Sequence, residues 1–137
     1  MRLAATAGLF FAVLSLPALA QDEEPDCKNP VTQMDMNFCA DADFQEADKA
    51  LNAAYRQTMK AMEATDAELE EINPDLIGAV DTLKKAQRAW IAYRDGQCDL
   101  AGFEARGGSM EPMLVSGCLA DLTRKRTAEL KSLIEEK

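Results

Sequence analysis

The sequence predicts an all-α protein, a small three-helix up-down-up bundle stapled by disulfides. Three observations carry that prediction. Apolar residues recur at helical spacing in three long segments, and no stretch alternates with the period of two that a strand requires. Four cysteines, Cys27, Cys39, Cys98 and Cys118, stand in a chain of 137 residues. The connections between the helical segments are short to moderate, which favours a simple bundle of neighbouring rods.

Residues 1–20, MRLAATAGLFFAVLSLPALA, hold Arg2, an apolar run from Leu9 to Leu16, then Pro17 and the small-x-small ending Ala18-Leu19-Ala20. That is the anatomy of a cleavable secretory signal peptide, with cleavage expected after Ala20. The run is short for a membrane span, and no cysteine suited to lipidation follows the small residues. Residues 21–26, QDEEPD, read as a flexible leader, and residues 27–137 as one helical domain. The mature chain is expected in the periplasm or secreted, with no membrane insertion after signal cleavage.

The first helix is expected to start at Thr32, with Asp35 three residues later in capping-box fashion. A jog is expected near Asp41 to Asp43, where either aspartate can cap a new start, and the helix then runs to about Ala64. Phe44, Ala47, Leu51, Tyr55 and Met62 form its apolar stripe. The stretch TDAELEEINP reads as a linker, with Asn73 capping the second helix and Pro74 in its first turn. Leu76, Val80, Leu83, Trp90 and Ile91 point this second helix inward as far as about Cys98. Residues 102–112, GFEARGGSMEP, form a glycine-rich loop. The third helix then runs from about Glu111-Pro112 toward Glu136, lined by Val115, Leu119, Leu122, Leu130 and Leu133.

In such a bundle all four cysteines fall at one end. An even count in a short exported chain implies two disulfides. Pairing Cys27 with Cys39 and Cys98 with Cys118 closes two modest loops and is favoured over the two other connectivities. Each bridge contributes on the order of 2–4 kcal/mol.

The composition excludes several function classes. A formal net charge of −9, one unit more negative once Arg2 is removed, argues against nucleic acid and anionic lipid as partners. Histidine is absent, which removes histidine-based catalytic triads and histidine-containing metal sites. The acidic run ATDAELEEINPD lacks the alternating pattern and central glycine of a calcium loop. The methionines are spaced for core and cap packing rather than for copper(I). No catalytic residue, metal ligand or cofactor is assigned.

The apolar stripes nevertheless carry polar residues. Asp48 lies between Phe44 and Leu51 on the inner side of the first helix. Gln87 and Arg94 share a stripe with Trp90, and Arg126 lies between Leu122 and Leu130. Antiparallel packing brings Asp48 toward Arg94, and Gln87 toward Asn52 or Tyr55. Such a partly buried network fixes register more than it adds stability. One inward acid beside two inward arginines does not make the pair of carboxylates with separated pKa values that acid–base chemistry uses.

The segments CKNPVTQMDMNFCADADFQEADKALNAAYR, LKKAQRAWIAYRDGQC and GGSMEPMLVSGCLADLTRKRTAEL together resemble the LprI-like lysozyme-inhibitor family of exported bacterial proteins. The resemblance rests on Met36-Asn37 before Cys39, Ala47-Asp48 before Leu51-Asn52 and Tyr55, and Gln87 with Trp90, Arg94 and Cys98. It continues through Gly107-Gly108, Cys118, Leu122-Thr123 and Arg126, and covers about residues 27–130. It implies a helical, disulfide-bonded, exported protein that binds a lysozyme without being an enzyme. The family's named member is a lipoprotein, whereas this chain lacks the lipidation cysteine. An acidic inhibitor of a basic lysozyme gains association rate by steering. The stretch EARGGSM offers Arg106, the Gly107 and Gly108 amides and Ser109 as donors for the carboxylates of a muramidase cleft. The alternative is a periplasmic module that binds another cell-envelope protein and inhibits no lysozyme.

Overall fold

A computed structural model describes residues 24–135. The expected signal peptide and residues 21–23 of the acidic leader lie outside the described residues, as does Glu136. Three helices account for the architecture: α1 Gln33–Ile72, α2 Ala79–Gly102 and α3 Glu111–Glu135. Short 3-10 turns at Pro74–Leu76 and Phe103–Ala105 sit in the two connections. The described residues contain no strand. The helices run up, down and up, as the sequence predicts.

The start of α1 follows from its capping box. Asp35 N–H donates to the Thr32 hydroxyl, and the Asp35 carboxylate accepts from Thr32 N–H at 3.0 Å. Beyond that start two expectations are corrected. The jog at Asp41–Asp43 is absent: α1 is one unbroken helix of 40 residues, about 60 Å long. Neither aspartate caps a helix, and Asp43 instead pairs across the bundle with Arg124. The expected linker is also helix as far as Ile72, because Ala67, Glu68, Leu69, Glu70 and Glu71 are mostly strong helix formers. Pro74 disfavours helical backbone at Asn73, and there the helix ends.

Asn73 does cap a turn, its side-chain oxygen accepting from Asp75 N–H at 3.0 Å, but the turn is the 3-10 one. The true start of α2 is Ala79, so Leu76 is exposed in the connection rather than packed inward. At its other end α2 runs one turn past Cys98 to Gly102, which is buried. A Cβ there would lie 2.6 Å from Val115 Cγ2, so glycine is what lets α2 and α3 approach at this point.

The parallel pair α1 and α3 forms the tightest seam. Ala47, Leu51, Ala54 and Thr58 face Ala120, Thr123, Thr127 and Leu130, all buried. Small side chains let the backbones close up, and the Thr58 hydroxyl is shared between Ala54 O and Leu130 O at 3.0 Å each. Leu83 of α2 completes the core with Leu51, Ala54 and Leu130, and Tyr55, Met59, Met62 and Trp90 pack around it. Burying each leucine stabilises the fold by roughly 1.5–3 kcal/mol. The stripe expectations for Ile91 and Leu133 are corrected, since both remain exposed. Leu122 is only partly buried, and its neighbour Thr123 takes the fully buried seam position.

Candidate functional site

Two regions bring together the polar residues singled out in the sequence. The first is the end that carries the disulfides. Cys27 is bonded to Cys39 and Cys98 to Cys118, so the leader is tied to α1, and the end of α2 to the start of α3. Asn37 Nδ2 donates to Ser109 O at 3.0 Å, which brings the α2–α3 connection against the first turns of α1. Bundle topology and these bonds place the connection and both disulfides at one end.

Within that connection Glu111 acts as a clamp. One carboxylate oxygen accepts from Arg106 Nη1 at 2.7 Å, and the other accepts from Gly107 N–H at 2.7 Å. The Gly107 bond first, and the Arg106 charge after it, hold the Glu111 carboxyl below its ordinary range. Gly107 has φ +77°, a backbone conformation that favours glycine. Gly108 N–H donates to Ala105 O at 2.8 Å. Both glycine amides are therefore committed inside the loop. Arg106 stacks on Phe103 at 4.6 Å, and its side chain stays 61% exposed despite the Glu111 pair. A guanidinium has five N–H donors, so the pair leaves Arg106 further donors for a partner.

The same end exposes apolar surface. Val31 and Met34 lie at the start of α1, Phe38 one turn on, and Phe103 and Met110 in the connection. Sequence patterning missed this feature, because stripes report what faces inward, whereas Phe38 lies on the outer side of α1 and the others lie in its first turn, before it or in the connection.

The second region is the polar seam of the bundle. Arg94 is held mainly by its own neighbour: Nε donates to Asp95 Oδ1 at 2.8 Å, with Nη2 at the same distance from that oxygen. Asp48 is farther, 3.8 Å from Nη1, and is 38% exposed where Arg94 is 12% exposed. The rings of Phe44 and Trp90 lie 5.4 and 5.1 Å from the guanidinium carbon. Asp48 accepts a closer bond, 2.8 Å, from Asn52 Nδ2 on its own helix. Gln87 gives its side-chain oxygen to Arg126 Nε of α3 at 3.1 Å, while Arg126 Nη1 meets Glu129 at 2.8 Å. Tyr55 packs beside the core and lines the same α1–α2 cleft as Asn52 and Gln87.

One anchor escaped the sequence reading. Asp66, deep in α1, accepts from Gly78, Ala79 and Val80 N–H at 2.9, 2.8 and 3.0 Å. Its carboxylate thereby caps α2 from another helix. These bonds, Gly78 first, hold its pKa below the usual carboxylate value.

The fold and these surfaces define a disulfide-stapled helical bundle with an exposed, cation-bearing connection at its bonded end. A family model described as lysozyme inhibitor LprI matches residues 26–130, and the chain belongs to that family. An uncharacterized protein of Rhizobium meliloti (strain 1021) is 64% identical over 135 residues, covering 98% of this chain and 97% of the relative. No solved structure matches the chain. No described helix is long and apolar enough to cross a membrane.

Proposed function

We infer that this protein is exported, with cleavage after Ala20, and acts without catalysis as an inhibitor that binds a lysozyme. Membership of the lysozyme inhibitor LprI family is the observation that carries this reading. The formal charge of −9 supports a basic target, since opposite net charges raise encounter rates at low salt. The inserted element is the connection at the disulfide end. Arg106 and Ser109 offer the donors there, and Val31, Met34, Phe38, Phe103 and Met110 offer apolar contact around them. With the Gly107 and Gly108 amides committed, Arg106 carries most of the polar recognition.

The test is titration of oxidised residues 21–137 against basic and acidic lysozymes of several classes. Inhibition of a basic lysozyme is expected, with an association rate that falls as salt rises. Absence of inhibition across all classes at stoichiometric protein overturns the reading. An Arg106→Ala/Ser109→Ala double variant is expected to lose potency, and unchanged potency removes this loop as the inserted element.

A second reading draws support from the opposite end, where Ile72, Leu76 and Ile77 are exposed together in the α1–α2 connection. Under it the chain is a periplasmic module that docks on another cell-envelope protein. A defined envelope partner lost on Ile72→Ser/Leu76→Ser, with no lysozyme inhibited, would favour this reading over the first.

A further inference from the structure

Where two antiparallel helices meet, residues at i, i+3, i+4 and i+7 ordinarily seal the seam with apolar side chains. The α1–α2 pair departs from that rule. On α1 the four positions are Asp48, Leu51, Asn52 and Tyr55; on α2 they are Lys84, Gln87, Arg88 and Ile91, with Arg94 continuing the row. The result is a cleft of about 290 Å³ between the helices. That is near the lower end of small-ligand pockets, roughly 300–1,000 Å³.

The lining charge is inverted relative to the molecule. A chain of formal charge −9 places three cations, Lys84, Arg88 and Arg94, around this cleft against a single acid, Asp48. Arg94 is already engaged by Asp95. Lys84 and Arg88 are not: none of the ion pairs among the described residues uses them. They stand four residues apart on one helix face, an arrangement of like charges that weakens a helix unless an anion lies between them.

Two further donors point to the same occupant. Gln87 is 8% exposed and commits its oxygen to Arg126, which leaves its amide N–H groups without a bond to any described residue. Tyr55 lines the cleft, and none of the hydrogen bonds among the described residues uses its hydroxyl. Leu51, Ile91 and the Tyr55 ring supply an apolar wall beside these donors.

We propose that the α1–α2 cleft is a binding site for a small organic carboxylate, the anion held by Lys84 and Arg88 and its apolar body laid against Leu51, Tyr55 and Ile91. Charge-assisted bonds from two cations suit a carboxylate, and Gln87 and Tyr55 can donate to its second oxygen. The apolar wall distinguishes such a ligand from a bare inorganic anion. The site lies about one to four helical turns from Cys98 along α2, so it stands or falls separately from the lysozyme reading.

The experiment is a titration of ¹⁵N-labelled, oxidised residues 21–137 with hexanoate, n-hexanol and inorganic phosphate, followed by amide chemical shifts. Saturable shifts are expected for hexanoate at residues 48–55 and 84–94, with the 103–110 connection unmoved. Hexanol lacks the charge and phosphate lacks the apolar body, so each is expected to bind at least ~10-fold more weakly. A Lys84→Gln/Arg88→Gln variant, altering two exposed side chains, is expected to weaken hexanoate by ~10-fold or more while keeping its helical circular dichroism. Hexanol or phosphate binding as well as hexanoate overturns the proposal on the unaltered protein alone. So does an absence of saturable shifts, or a double variant that binds hexanoate undiminished.

Discussion

Asp66 places both carboxylate oxygens on the first amides of a helix to which it does not belong. Gly78, the residue before α2, has no side chain with which to cap, so α1 supplies the acceptor that a serine or aspartate would ordinarily supply locally. The carboxylate also meets the positive end of the α2 dipole. Because its pKa is lowered in the folded chain, the unfolded chain takes up the proton first as pH falls. The stabilisation is therefore complete above the ordinary carboxylate range and is lost as pH drops through the lowered native value. Thermal unfolding between neutral and strongly acid pH checks this. At neutral pH the melting temperature is expected to fall in the order wild type, Asp66→Asn, Asp66→Ala. The gap between wild type and Asp66→Asn should close in acid, and a gap that persists unchanged would refute the assignment. Sequence reasoning had no access to this contact. Its partners lie 12 to 14 residues away in another element, beyond any local capping spacing. By contrast, the Thr32–Asp35 box was legible because both its bonds close within three residues.

At the scale of the elements, what was legible followed periodicity, and what was not followed the exchange of partners between helices. Three helices, their order and the start of α1 could be read from stripes and caps. The end of α1 could not, since an acidic run between two stripes reads equally as linker or as exposed helix. Gly102 belongs with the illegible part: in sequence it marks the start of a glycine-rich loop, yet it is the last residue of α2. In an unpacked helix, replacing glycine by alanine gains roughly 0.5–1 kcal/mol. Here the sign should reverse. The new Cβ would meet the stiff, β-branched Val115 at 2.6 Å, with Glu111 Cγ at 3.4 Å behind it. Overpacking of this kind costs typically 1–3 kcal/mol, so Gly102→Ala is expected to destabilise by about that amount in urea unfolding. Adding Val115→Ala should recover much of the loss, because it removes the methyl group in conflict. A Gly102→Ala protein as stable as wild type would show that α2 and α3 are not held this close.

For the whole molecule the two disulfides are unequal, although simple chain entropy makes them nearly alike. Their sequence separations are 12 and 20, a difference worth only about 0.5 kcal/mol in the loop-closure account. What separates them is position. Cys27–Cys39 ties the chain before α1 onto the early turns of that helix, and Cys27 is exposed. Cys98–Cys118 joins two helices one turn from the Gly102–Val115 contact, and Cys98 is fully buried. Thiolate attack needs access to sulfur, so graded reduction should open Cys27–Cys39 first. Trapping the free thiols and mapping them by mass spectrometry reads that order directly. The energetic consequence should run the other way. Cys98→Ser/Cys118→Ser is expected to cost on the order of 3 kcal/mol, because it frees α2 from α3 in the unfolded chain and leaves two polar hydroxyls at the packed seam. Cys27→Ser/Cys39→Ser should cost less, since the three-helix core lies outside the loop it closes. If the buried bridge opened first, or the two double variants melted at the same temperature, the bundle would not be anchored through α2 and α3.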